Sequence, residues 1–242
     1  MIETVSWFNP AVDWSGCKER LLRTGRVQVH DVLRPEIAAR LHECLSNEVP
    51  WDVAFRDGGK SRTLRADVWR SMPGAQRIAL HQRVCTEARQ QFQFWYFSYM
   101  MVSAYMEQRM PGHFLNSVVE WLNSAEFLTI GRHVSGFDDI RKADGQATLY
   151  GPGCFLTNHD DSGVPEGQTR RMAYVLSLTK EWRAEWGGLL HFTSPSGEVM
   201  ETLMPRYNSL NLFLTPQPHE VSFVAPFASQ QRLSITGWLR AD

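Results

Sequence analysis

The chain is poor in cysteine for its length. It has four in 242 residues, Cys17, Cys44, Cys85 and Cys154, and no two of them form a CxxC pair. A thiolate zinc knuckle is therefore not expected, and free thiols in a reducing cytoplasm are the simplest state. A charge excess is also missing: 25 Lys and Arg stand against 26 Asp and Glu, for a net charge of −1. Without a basic surplus, a nucleic-acid partner is not expected. No apolar run approaches the length of a membrane span, so no membrane partner is expected either. The opening MIETVSWFNPAVDW has neither the basic nor the apolar region of a signal peptide. There is no repeat and no low-complexity tract. What remains is an ordinary globular composition, 43% hydrophobic and 21% charged, in a length that suits one domain.

The texture changes along the chain. Residues 33–48, LRPEIAARLHECLSNE, place Ile37, Ala38, Leu41 and Leu45 at helical spacing, with Pro35 in the first turn. The stretch 74–108 has no proline and no glycine after Gly74, which predicts one or two helices; its FQFWYFSYMMVSAYM segment is apolar nearly all round and reads as deeply buried. Residues 114–130 predict another helix with Leu115, Val118, Val119, Trp121 and Leu122 on its apolar side. Short β-like pieces lie at 25–32, 51–55 and 62–69. The RDGGKS link at 56–61 reads as a hairpin loop, either a plain turn or a lid over a site.

From residue 144 the pattern becomes short strands punctuated by Gly, Pro, Asn and Asp: QATLYGP, CFLTNH, MAYVLSLT, GGLLHFT, GEVMETLM, SLNLFLT, HEVSFVA and RLSITGWL. Such a series predicts a sandwich or jelly roll. The expected fold is mainly β with flanking helices, a single domain over 1–242. Residues 1–140 would supply a helical support plus outer strands, and 141–242 the jelly-roll core.

Within this frame, "NHDD" sets His159 and Asp161 two positions apart. In an extended strand they share a face, and an imidazole beside a carboxylate can hold a divalent metal; an exposed turn is the plain alternative. His219, in "TPQPHEV", opens a later strand, and His191 in "GGLLHFT" is a rival third ligand. Two histidines and a carboxylate leave part of an octahedral sphere open, as non-haem Fe(II) oxygenases require. One strand after His219, Arg232 and Ser234 share a face, and a guanidinium beside a hydroxyl suits a carboxylate. Gly187 and Gly188 read as a tight turn. Trp182, Trp186 and Trp238 read as packing, Asp160 as solvated, and Asn158 as either a turn residue or a neighbour of the metal.

The order H-x-D, distal His, R-x-S resembles the 2-oxoglutarate and Fe(II)-dependent dioxygenases. The strings "TLYGPGCFLTNHDD", "RRMAYVLSLTKEWRAEWGGLLHF" and "PRYNSLNLFLTPQPHEV" resemble the prolyl 4-hydroxylase-like branch, and within it the ribosomal-protein prolyl hydroxylases and their bacterial relatives. The likeness covers about residues 140–240 and is loose before them. It implies a double-stranded β-helix, the name for this jelly roll in that family. It implies His159, Asp161 and His219 as iron ligands, Arg232 on the far carboxylate of 2-oxoglutarate with help from Ser234, and Tyr150 lining the cosubstrate pocket. It also implies Fe(II), 2-oxoglutarate and O2 as requirements, with ascorbate as a stimulant. Where many relatives carry a tyrosine, this chain has Ser177, and Tyr174 sits three positions earlier. The expected activity is hydroxylation of a prolyl residue in a protein or peptide. The same chemistry on a free amino acid or other small molecule is the alternative, and a non-catalytic jelly-roll metal-binding or sensing protein the next. A zinc hydrolase would give Arg232 no task.

Overall fold

The computed structural model describes residues 6–163 and 167–242. The N-terminal half contains α1 (Trp14–Thr24), β1 (Arg26–His30), α2 (Pro35–Asn47), β2 (Asp52–Asp57), β3 (Lys60–Leu64), α3 (Ala66–Ser71), α4 (Gly74–Glu87), β4 (Phe94–Tyr99), α5 (Met101–Met106), α6 (Phe114–Leu122) and α7 (Ala125–Ser135). Then follow β5 (Lys142–Ala143), β6 (Gln146–Tyr150), β7 (Phe155–His159), β8 (Arg170–Ser177), β9 (Leu190–Thr193), β10 (Val199–Leu203), β11 (Ser209–Leu214), β12 (His219–Val221) and β13 (Arg232–Arg240).

The strands pair in the order β1-β11-β8-β13-β6-β4-β7-β12-β9-β10. Strands β11, β8, β13 and β6 form one sheet and β7, β12, β9 and β10 the sheet facing it. The chain passes back and forth between the two, which is the jelly-roll connection. All eight strands expected after residue 144 are present. The N-terminal half extends the sheet: β1 pairs with β11, and β4 pairs with both β6 and β7. The β2–β3 hairpin continues from β4.

Helices form where local signals and a buried face agree. Asp13 caps α1 by accepting from the Gly16 N–H at 2.9 Å, and Gly25 ends that helix in the left-handed region. Their apolar sides cover the outer face of the first sheet. Leu21, Leu41, Leu45, Leu122 and Phe127 pack in one cluster with Leu149, Tyr174, Leu176, Leu210 and Ile235. Each such fully buried side chain contributes on the order of 2 kcal/mol.

Three expectations are corrected. The stretch 74–108 is not purely helical, because its aromatic run is strand β4 followed by the short α5. It is apolar all round because both faces of the strand are covered. Phe94 and Tyr96 face the barrel cavity, while Trp95 and Phe97 pack against Trp69 of α3, with ring centroids 5.6 and 6.3 Å away. The 62–69 piece is strand only to Leu64; Asp52 then accepts from the Ala66 N–H at 2.8 Å and starts α3. Residues 114–130 hold two helices, broken where Ser124 caps α7 and Asn123 accepts from the Ala143 N–H.

Among the described residues no helix is long and apolar enough to cross a membrane. All four cysteines are free thiols.

The turn before β9 rests on Gly187, at φ 67° and ψ −146°, with the space for a Cβ lying 2.0 Å from the Phe223 carbonyl oxygen. Only glycine fits there, and the next residue, Gly188, lies against the Arg232 side chain. Gly187→Ala is expected to lower stability by about 3 kcal/mol, measured by urea denaturation.

Candidate metal centre and cavity

Strands β7 and β12 pair antiparallel with His159 directly opposite His219. A bulge in β7, where the register shifts between that pair and Leu156 opposite Val221, turns the His159 ring toward the barrel interior. The two imidazole centroids are 4.2 Å apart. Asp161 joins them by a different route from strand alternation. Strand β7 ends at His159; Asp160 accepts from the Ser162 N–H at 2.9 Å, and Asp161 takes a left-handed φ of 63°. This turn brings the Asp161 carboxylate to 3.4 Å from His159 Nε2 and 3.8 Å from His219 Nε2. One donor atom from each residue lies within 4.8 Å of the others.

The ring nitrogens are sorted by backbone partners. Nδ1 of His159 lies 3.0 Å from the Thr157 carbonyl, and Nδ1 of His219 lies 2.8 Å from the Gln217 carbonyl. An Nδ1–H donated to each carbonyl leaves the Nε2 lone pairs aimed at the shared space. Burial, reinforced by the neighbouring His159, lowers the His219 pKa to about 4, so the ring is neutral near pH 7. Burial opposes the Asp161 charge, but the two imidazoles and the Trp238 indole N–H outweigh it and hold the carboxyl below its ordinary range. Two imidazole nitrogens and one carboxylate oxygen are a donor set that fits Fe(II) and leaves positions open.

The centre lies in a cavity of about 460 Å³. Arg232, 3% exposed, is in its wall and directly opposite Tyr150 in the β13–β6 register; its guanidinium lies 5.0 Å from the Tyr150 ring centroid. The guanidinium has no carboxylate partner among the described residues, and its Nε is buried without an acceptor. Burial lowers its pKa, yet an arginine stays charged. An unpaired buried cation is costly, so this wall is built for an anion.

Tyr150 stacks on Tyr96 with centroids 5.1 Å apart, and both line the cavity. Burial raises the pKa of both, Tyr96 to about 12. Both hydroxyls are therefore protonated donors near pH 7. Ser234 shares the face of Arg232 but is fully buried, and its hydroxyl pairs with Thr148 Oγ1 at 2.8 Å. Thr148, not Ser234, is in the cavity wall. Ser177 lies opposite Ser234 on the other side, with its hydroxyl unpartnered. Tyr174 faces the helices and donates to the Asp144 carbonyl, so it does not replace a tyrosine at 177.

The rival His191 lies apart from the centre, paired across the sheet with Glu220 and Thr202. Its neighbours Leu190 and Phe192 point inward instead: Leu190 lines the cavity, and Phe192 has its ring 6.2 Å from that of His219. Asn158 bonds to Thr193, not to the centre. Asp160 is the cap of the turn. Trp182 donates to the Gly187 carbonyl at 2.8 Å and packs edge-on to Trp186, as the packing reading expects.

Trp238 is more than packing. Its Nε1–H donates to Asp161 Oδ2 at 2.9 Å, and Arg170 lies 3.7 Å over its ring. Counting by twos from Arg232 along β13 gives Ser234, Thr236 and Trp238 on one face, so the period of a strand held this signal. Tyr96 was hidden by the helical reading of its segment.

Residues 145–240 match the family model described as the 2OG-Fe(II) oxygenase superfamily. The chain is similar to an uncharacterised PKHD-type hydroxylase of Synechocystis, at 27% identity over 42% of this chain and 37% of that protein. It is similar to a prolyl 3-hydroxylase of Xenopus laevis, at 34% identity over 40% of this chain and 20% of that one. The chain thus spans well under half the length of either relative. In fold it is similar to a Trichoplax adhaerens prolyl hydroxylase solved with a hypoxia-inducible-factor peptide fragment; the TM-score is 0.58 and the identity 14%, covering 93% of this chain and 87% of that one.

Trp238→Phe keeps the ring under Arg170 and removes only the N–H that orients Asp161. The variant is expected to bind Mn(II) about tenfold more weakly by anaerobic titration, with an unchanged melting temperature for the metal-free protein.

Proposed function

We propose that the chain is an Fe(II)- and 2-oxoglutarate-dependent oxygenase that hydroxylates a prolyl residue of a protein or peptide. The observation that carries the chemistry is the pairing of a His159–Asp161–His219 centre with a buried, carboxylate-free Arg232 in one cavity. The prolyl substrate is supported by the prolyl hydroxylases among the relatives and the solved structures.

In this reading His159 Nε2, His219 Nε2 and an Asp161 oxygen hold the iron. When bound, iron supplies the redox chemistry in which O2 oxidises 2-oxoglutarate to succinate and CO2 and hydroxylates a substrate C–H bond. The protein's part is placement. The guanidinium of Arg232 grips the far carboxylate of 2-oxoglutarate, and the protonated Tyr150 and Tyr96 hydroxyls supply donors at neutral pH. Trp238 and Arg170 fix the Asp161 carboxylate. Leu190, Val221 and Phe213 give the cavity apolar walls that keep bulk water from the reacting groups. Ascorbate as a stimulant belongs to the same reading. So does a reducing cytoplasm, supported by four free thiols. So does one catalytic unit over 1–242, supported by the pairing of β1 and β4 into the sheet.

Asp161→Ala is expected to abolish succinate release while the chain still folds. Arg232→Leu is expected to raise the KM for 2-oxoglutarate about a hundredfold, the usual scale for removing one side of a buried charged pair. Incubation with proline-containing peptides and with free amino acids, read by mass spectrometry for gain of one oxygen atom, separates the peptide reading from the small-molecule one. Succinate release by Asp161→Ala at the wild-type rate overturns the metal assignment.

A further inference from the structure

The β2–β3 hairpin reaches the cavity. Its turn is Gly58–Gly59 with φ of 58° and 76°, the left-handed pair of a two-residue type I′ turn. In such a hairpin the closing pair, Asp57 opposite Lys60, is hydrogen-bonded, and bonded pairs alternate along the ladder. Phe55 opposite Arg62 and Val53 opposite Leu64 are therefore bonded pairs. Ser61 and Thr63 then direct their N–H and C=O groups away from β2. Strand β3 pairs with β2 alone, and these groups have no backbone partner among the described residues. Residues 60–63 are all exposed, and Ser61 is part of the cavity lining.

The edge is held in place. Arg83 grips Asp57 at 3.0 and 3.2 Å. Arg56 donates to the Phe92 carbonyl at 3.1 Å, and the Phe92 ring lies 5.2 Å from that of His159. The hairpin is thus tied to the rim of the metal centre.

We propose that an extended segment of the substrate polypeptide adds as a strand to the free edge of β3, bonding to the backbone of Ser61 and Thr63. Free N–H and C=O groups at strand spacing complement another extended backbone and no small molecule. Charge selects the occupant. Lys60 and Arg62 form no ion pair among the described residues, and their side chains lie on the opposite face from Ser61 and Thr63. Pairing with β3 of a second copy would set these cations against their own kind, whereas acidic side chains on the added strand meet them favourably. The added strand therefore carries acidic residues at alternate positions. This rests on the polypeptide reading of the function.

The test uses the full chain and a fluorescein-labelled peptide of alternating glutamate and threonine with one central proline, read by fluorescence anisotropy. Ser61→Pro and Thr63→Pro each delete an outward N–H and leave the β2 ladder intact; each is expected to weaken binding about tenfold. Ser61→Ala and Thr63→Ala keep the N–H and are expected to bind as wild type. The lysine counterpart of the probe is expected to bind more weakly, and Lys60→Glu with Arg62→Glu to reverse that order. N-methylation of the probe at one alternate set of positions, and not the other, should abolish binding, a result independent of whether the proline variants fold. The proposal is overturned if the acidic probe does not bind wild type, if the folded proline variants bind it equally, or if both methylated probes bind. It is also overturned if the proline variants instead dissociate a dimer in sedimentation. A chain that binds the probe but never releases succinate fails as an oxygenase while keeping the docking edge.

Discussion

The register of two short strands governs the centre. His159 faces His219 because β12 pairs with β7 at that position, and a bulge in β7 turns the His159 side chain inward. A slip of one residue would send one imidazole to the outer face and separate the donor atoms. The surrounding arrangement maintains that register. Ser222 closes β12 against the glycine turn before β9, through its carbonyl to the Gly188 N–H and its hydroxyl to the Leu189 N–H. The Asp161 turn then needs only a few residues to bring its carboxylate to both rings.

Electrostatics divides the cavity into two zones. In one, a carboxylate lies between two imidazoles and is held by an indole N–H. In the other, Arg232 lies buried without a counter-ion among the described residues. The nearby hydroxyls do not compensate it: Ser234 and Thr148 bond to each other, and the tyrosine hydroxyls are neutral donors. The uncompensated positive charge makes this part of the wall complementary to an anion.

The sequence was legible where side-chain period and chemistry coincided. The strands after residue 144 alternate and are bounded by turn residues, so their positions could be read directly. His159, Asp161, His219 and Arg232 stood out by type, order and resemblance. The segment 94–106 was not legible, because a strand covered on both faces and a buried helix have the same apolar composition. Only the packing of Trp95 and Phe97 on Trp69, opposite Phe94 and Tyr96 in the cavity, distinguishes them. Trp238 reads as core for the same reason, since an indole beside a carboxylate and an indole in a core look alike in a one-dimensional string.

Read locally, the chain already carries the β-rich second half, the helices that begin at Pro35, Gly74 and Phe114, and the side chains with the chemistry for a metal and an anion. These follow from local propensity, period and residue type. Tertiary structure alone decided that His219 and not His191 meets Asp161, that Ser234 turns to Thr148 instead of the cavity, and that an N-terminal strand bridges the two sheets. Each of those outcomes depends on cross-strand register between segments far apart in the chain, which no local pattern encodes.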